Sequence, residues 1–220
     1  MSVIQDPQLK SLLDGLHAKS DGQIAEFERF QAGRATHPPT EDEIKAFRSD
    51  KLVALDRDKA ELCYQLCRAI DARRIVEIGT SFGVSTLYLA AALGDNIGAS
   101  GGGGVVIGTE YEPIKASAAR AHFAQAGLSA LIDLREGDLR ETLRGIKGSV
   151  DFLLVDIWIP MARPALELVT RHLRSGAIVI CDNTARYRAE YADYFAFLES
   201  NGFRSTTLPF DGGLELSIRC

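Results

Sequence analysis

The sequence is poor in the features that mark several protein classes. It holds four cysteines in 220 residues, Cys63, Cys67, Cys181 and Cys220, and their spacing does not resemble a disulfide framework. Cys63 and Cys67 stand four apart on a helical stretch. No neighbouring Cys/His pair completes a metal site, so they read as small buried residues. No apolar run approaches the ~20 residues of a membrane span, and no membrane partner is expected. Met1 to Lys10 lacks the basic-then-apolar pattern of a signal peptide, so a reducing cytoplasm is the expected location. Basic charge is not in excess: 25 Lys and Arg face 30 Asp and Glu, for a net charge of -5. The pI of about 5.4 argues against a broad nucleic-acid surface.

What is present is ordinary for a soluble globular chain, with 46% apolar and 25% charged residues. The length suits one domain with a sizeable core and a small appendage. Residues 1–50 are polar with scattered apolar positions. Leu9, Leu12, Leu13 and Leu16 recur at helical spacing, as do Ile24, Phe27 and Phe30. His37-Pro38-Pro39 is a break, and Thr40 is placed to cap a helix beginning with Glu41, Asp42 and Glu43. This part is expected to be a helical extension packed on the main domain, residues 51–220.

From Asp56 the pattern becomes regular. Helices are expected over Asp56 to Asp71, Val84 to Leu93, Pro113 to Ala126, Pro164 to Leu173 and Tyr187 to Ser200. Between them fall buried strands: Arg74 to Ile78, Val105 to Glu110, Leu131 to Arg135, Val150 to Asp156 and Ala177 to Cys181. Asn96 to Gly104 is low in complexity and reads as a surface loop. Two strands close the chain, Phe203 to Leu208 and Leu214 to Ile218, joined by a turn at Asp211-Gly212-Gly213. Alternating strands and helices predict an α/β fold with a parallel sheet covered on both faces. The final short turn makes the last strand antiparallel, because a parallel return needs a crossover.

In such a sheet, ligands bind beyond the carboxyl ends of the strands. The first strand ends in Glu77-Ile78-Gly79, and Gly79-Thr80-Ser81-Phe82-Gly83 leads into a helix. Glycines let the backbone take positive φ and approach a ligand, and the helix N-terminus offers N–H groups to an anion. The glycine spacing is not the G-x-G-x-x-G of dinucleotide sites, which opposes a nicotinamide oxidoreductase. One carboxylate suffices as the anion, as in the methionine part of S-adenosylmethionine (SAM). Ser85 can donate to it, and Glu77 can accept from its ammonium group. Glu110, about thirty residues on, ends the second strand and suits two ribose hydroxyls. After the third strand come Gly137, Asp138 and Leu139. Asp138 suits the adenine amino group, with Leu139 and Tyr111 flanking the ring.

The run Val76-Glu77-Ile78-Gly79-Thr80-Ser81-Phe82-Gly83-Val84-Ser85-Thr86 resembles the first motif of the cation-dependent O-methyltransferases, the catechol and caffeoyl-CoA type. The similarity runs from about Lys51 to the C-terminus. It implies the Rossmann-like class I methyltransferase fold, with seven strands, the last antiparallel. It also implies SAM as cofactor, a small aromatic or vicinally oxygenated acceptor and a homodimer. By position, Val53 meets the methionine end of the cofactor. Asp58-Lys59-Ala60-Glu61-Leu62 matches loosely where relatives start a helix with Glu-Gln-Gly.

The resemblance further implies a divalent cation, Mg²⁺ with Mn²⁺ or Ca²⁺ as alternatives, held by Asp156, Asp182 and Asn183. Asp156 would then also be the catalytic group, acting through the metal on an acceptor hydroxyl. One departure is plain. The relatives carry a lysine base three residues after the strand-four Asp, and this chain has Ile159 there. His37, Lys51, Arg186, Tyr187 and Arg188 are the replacements weighed. Trp158 resembles the aromatic wall that holds a flat acceptor. Two other readings stay open: methyl transfer to N, O or S without metal catalysis, and SAM binding without turnover. His17, His122 and His172 read as surface or structural.

Overall fold

The computed structural model describes residues 2–33 and 40–220. Three helices open the chain, α1 (Pro7–Asp21), α2 (Ile24–Gly33) and α3 (Glu41–Arg48). Asp6 caps α1, its carboxylate accepting from Leu9 N at 2.7 Å. Thr40 caps α3 in a reciprocal box: Thr40 Oγ1 accepts from Glu43 N, and Glu43 Oε2 accepts from Thr40 N. The His37-Pro38-Pro39 break lies outside the described residues.

The alternating part then runs α4 (Arg57–Ala69), β1 (Arg74–Ile78), α5 (Val84–Ser100), β2 (Val105–Glu110), α6 (Pro113–Gln125), β3 (Ile132–Glu136), α7 (Leu139–Thr142), β4 (Val150–Val155), α8 (Ile159–Thr170), β5 (Leu173–Asp182), α9 (Ala192–Ser200), β6 (Phe203–Leu208) and β7 (Leu214–Arg219). The seven strands form one sheet in the order β3-β2-β1-β4-β5-β7-β6. β7 is antiparallel to both neighbours, and the pairs among β1 to β5 are parallel. The order reverses between β1 and β4, which opens a crevice at their carboxyl ends.

Side-chain alternation divides the core. Ile75, Phe152, Leu154, Ile178 and Ile180 face one layer with α1, α4, α5 and α6. Val76, Ile78, Leu153, Val155 and Val179 face the other, with α7, α8 and α9. The first of the N-terminal helices, α1, joins the first layer through Leu9, Leu13 and Leu16.

Three expectations are corrected. α5 does not stop at Leu93; it continues to Ser100, and only Gly101 to Gly104 remain as loop. The cause is Asn96, buried, whose amide donates to the carbonyls of Cys67 at 3.1 Å and Ala72 at 3.0 Å. α8 starts at Ile159 rather than Pro164, because Pro160 suits its first turn. α9 starts at Ala192 rather than Tyr187, and turns fill the space between. Among the described residues, no helix is long and apolar enough to cross a membrane.

Candidate functional site

The turn after β1 is shaped first by packing. Gly79 has φ +95°, and a Cβ there would stand 1.9 Å from the Asp156 carbonyl oxygen. Gly83 is the N-cap of α5 in the left-handed region, where a Cβ would come within 2.4 Å of the Phe123 ring. Ser81 between them also has positive φ, 51°. Both glycines are thus required by the close approach of β4 and α6, a stronger reason than ligand approach alone. Thr80 N donates to the Thr109 carbonyl at 2.9 Å and ties the turn to β2.

Glu77 lies beneath this turn, fully buried. Its Oε1 accepts from the Ser85 hydroxyl at 2.6 Å, and its Oε2 accepts from Thr80 at 2.9 Å and from Thr86. Burial raises its pKa above the ordinary value, and the three hydroxyl bonds only partly oppose that. Glu77 and Ser85, read from sequence as separate ligand contacts, are bonded to each other here. Glu110 is buried at the end of β2; its Oε2 accepts from Ser81 N at 2.7 Å and its Oε1 from Glu112 N at 2.8 Å. A carboxylate has about four acceptor positions, so two remain for hydroxyls. Tyr111 stands exposed beside it.

Gly137 N donates to the Glu110 carbonyl at 2.9 Å, which brings the end of β3 against the end of β2. Asp138 caps the short α7. The Arg140 side chain and backbone N–H bonding to it hold its pKa at about 2. Leu139 is buried behind it. On the other side, the segment 52–55 faces Gly79, Thr80, Ser81 and Asp156 across a narrow slot, with Val53 half-exposed. β1, β2 and β3, which lead into these residues, lie side by side in the sheet.

The far side of the crevice differs from expectation. Asp156 and Asp182 do approach each other: burial first, then the charges of Asp182 and Glu77, raise the Asp156 pKa well above its ordinary value. Against Asp182 lies Lys59 of α4, 1% exposed. Its Nζ donates to Asp182 Oδ1 at 2.7 Å and pairs with Asp56 Oδ2 at 2.7 Å. Burial acts to lower the Lys59 pKa, but the bonds to Asp182 and Asp56 outweigh it, and the net shift is upward. Asp182 Oδ2 accepts from Asn183 Nδ2 at 2.6 Å.

These residues do not fit a divalent cation as they stand. Asp182 Oδ1 already holds the Lys59 ammonium, and Asn183 turns its amino group to Asp182 Oδ2 rather than an oxygen ligand inward. An ammonium lies where positive charge would go. Among the described residues, no three Asp, Glu, His or Cys side chains are grouped to hold a metal ion. Lys59 is the site residue that the sequence reading missed. It is 123 positions from Asp182, and only the loose helix start at Asp58-Lys59 hinted at a difference there.

The described residues weighed as replacements for the absent lysine have contacts of their own. Lys51 pairs with Asp50 at 2.8 Å and Glu26 at 3.3 Å. Arg186 pairs with Asp211 at 2.6 Å, and the Arg188 guanidinium lies 3.7 Å from the Phe195 ring centroid. Tyr187 packs on the core beneath α8 and α9, and Ile159 is the first residue of α8, packed on the same core. His37 lies outside the described residues. Trp158 is 41% exposed and faces the Arg48 guanidinium of α3 at 5.6 Å. A wider crevice of about 970 Å³ adjoins the slot through Leu52, Val53 and Ala54. α1, α2, Asp56, Arg57, Arg186 and Asp211 complete its walls, and His17 lines it too, buried with Nε2 3.2 Å from the Tyr88 hydroxyl.

Residues 76–184 match the family described as a methyltransferase domain. The sheet order is that of the class I methyltransferase fold, and residues 76–184 are similar in sequence to that domain. Among particular relatives, the chain is 30% identical over 135 residues to a catechol O-methyltransferase of Mycobacterium tuberculosis. That alignment covers 61% of this chain and 58% of the relative, so the chain spans a little over half the relative's length. The fold is similar to an O-methyltransferase from Bacillus cereus solved with SAH, the demethylated cofactor product. The TM-score is 0.70 at 20% identity, covering 86% of this chain and 96% of that one. It is also similar to the O-methyltransferase TomG of Streptomyces achromogenes solved with SAM. There the TM-score is 0.67 at 24% identity, with 82% and 90% covered.

Proposed function

We propose that the chain is a cytoplasmic SAM-dependent O-methyltransferase acting on a small acceptor. The observation that carries this reading is the run of acids at successive strand ends: Glu77 under the glycine turn, Glu110 bonded to Ser81 of that turn, and Asp138 beyond β3. SAM lies along this edge in the proposal. Its methionine end meets Gly79, Thr80, Ser81, Gly83 and Val53, its ribose Glu110, and its adenine Tyr111, Gly137, Asp138 and Leu139. The curated relatives and the SAM- and SAH-bound neighbours support the cofactor class.

The acceptor enters from the wider crevice, and in the proposal Trp158 meets its flat face. An acceptor oxygen attacks the methyl carbon in line, the oxygen–carbon bond forms as the carbon–sulfur bond breaks, the sulfonium becomes a neutral thioether, and the acceptor's proton passes to water. Much of the rate comes from holding oxygen, carbon and sulfur in line. The resemblance brought a divalent cation to Asp156, Asp182 and Asn183. The pairing of Lys59 with Asp182 favours the second reading, methyl transfer without a metal. A homodimer belongs to the proposal, and light scattering at twice the 23.9 kDa chain mass supports it, whereas a monomer mass contradicts it.

The test is direct. Purified protein is incubated with methyl-labelled SAM and a panel of phenols, catechols, aliphatic alcohols, amines and thiols, and the labelled methyl product is followed. Transfer to at least one oxygen acceptor supports the reading. Label found only on nitrogen or sulfur acceptors contradicts it.

A further inference from the structure

We infer that the Lys59 ammonium is the resident cation of this site, standing in place of a divalent metal, so that methyl transfer here is metal-independent. The inference rests on the O-methyltransferase reading and deepens it. Three observations carry it. First, Lys59 Nζ is held at 2.7 Å by both Asp182 and Asp56, and only 1% of the residue is exposed, so the charge is fixed and dry. Second, Asp56 sits at the N-cap position of α4 but makes no side-chain capping bond; its carboxylate is committed to Lys59 instead. An N-cap Asp ordinarily satisfies a backbone N–H of its own helix. Third, the other candidate ligands are turned to contacts within the protein. Asp182 Oδ2 accepts from Asn183, and Asn183 Oδ1 is packed so close to Gly212 that a Cβ there would come within 2.5 Å of it. A Mg²⁺-type ion needs about six oxygens in regular array, and here Asp156 alone has its carboxylate uncommitted.

The consequence concerns the acceptor. A divalent ion recognises two adjacent oxygens by chelation. A single buried ammonium cannot chelate, so the site does not demand a vicinal diol. Lys59 acts as a positioning residue. It holds Asp182 and balances the charge of Asp156 at the wall that the acceptor oxygen approaches, and an acceptor with one hydroxyl is sufficient.

The test uses the full chain and three readouts: Mn²⁺ titration followed by electron paramagnetic resonance, SAM affinity by calorimetry, and methyl-transfer rate with and without EDTA. The wild type is expected to take up no Mn²⁺ at about 1 mM, the weak end of protein sites for such ions. Its rate should change less than twofold with EDTA. Lys59→Met should lose at least tenfold in kcat while SAM affinity stays within threefold, and Lys59→Arg should recover part of the loss. Stoichiometric Mn²⁺ uptake that Asp182→Asn removes overturns the inference. So does an EDTA-abolished rate restored by Mg²⁺, or a Lys59→Met enzyme with wild-type kcat. If Lys59→Met does not fold, the wild-type titration and the EDTA result decide alone. Failure of SAM to bind is a different result. It removes the methyltransferase reading and is told apart because the Mn²⁺ titration needs no turnover.

Discussion

Glu77→Ala is the substitution through which the crevice architecture can be weighed. In the folded chain this carboxylate accepts three hydroxyl bonds, from Thr80, Ser85 and Thr86, with no exposure to water. Removing it leaves three buried hydroxyls without their acceptor. A buried unmade bond costs ~1–3 kcal/mol, and hydroxyls can rotate toward backbone carbonyls, so the low end applies to each. The expected loss is about 3 kcal/mol in total, or about 6–12 °C in Tm at this chain length. Urea denaturation and a thermal melt measure it. A Tm within about 2 °C of wild type would refute the claim that Glu77 organises the turn. The pH dependence gives a second check. The folded pKa of Glu77 is raised above its ordinary 4.5, chiefly by burial, so the folded state binds this proton more tightly than the unfolded chain. Its contribution is fully present below 4.5 and is lost as pH rises through the folded value. Wild type should therefore gain on Glu77→Gln as pH falls through that window, and the opposite slope contradicts the assignment.

Two further substitutions separate packing from binding. Gly79→Ala places a Cβ 1.9 Å from the Asp156 carbonyl at φ +95°, and both strain and overlap predict a loss of about 3 kcal/mol or more. Near-wild-type stability in a melt would show that the turn is not packed as described. Trp158→Ala removes a half-exposed ring, so stability should stay within about 0.5 kcal/mol, while the acceptor KM rises several-fold with the KM for SAM unchanged. An unchanged acceptor KM removes Trp158 from the acceptor wall.

The parts of the fold legible in sequence were those set by local pattern. β1, β2 and β6 begin and end where the apolar runs predict, because each run is bounded by turn residues. The antiparallel β7 followed from the shortness of its turn. What could not be read depends on partners far along the chain. Asn96 in a Gly- and Ser-rich stretch looks like loop until Cys67 and Ala72 supply carbonyls for its amide. Pro164 suggested a helix start, yet it sits inside α8, which begins with Pro160 in its first turn. At the site, the acids at strand ends were visible as a pattern. Their bonding was not: Ser85 was read as facing a ligand, and in the folded chain it lines the slot while its hydroxyl donates to Glu77. Lys59 was hidden most deeply. A lysine at the start of an exposed-looking helix carries no local sign that it will be buried against a carboxylate on β5. The absence of the usual lysine at Ile159 was legible, but the position of Lys59 was not.

Calorimetric titration of SAM into the wild-type chain and into Glu110→Gln tests the central claim most directly. Glu110 ends β2 with two acceptor positions free toward the crevice, and a carboxylate there bonds ribose hydroxyls more strongly than an amide does. One SAM per chain is predicted for wild type, with at least tenfold weaker binding for Glu110→Gln and an unchanged melting temperature in the absence of SAM. Equal affinity in the two proteins, or no heat of binding in wild type, would contradict the placement of SAM at this strand edge.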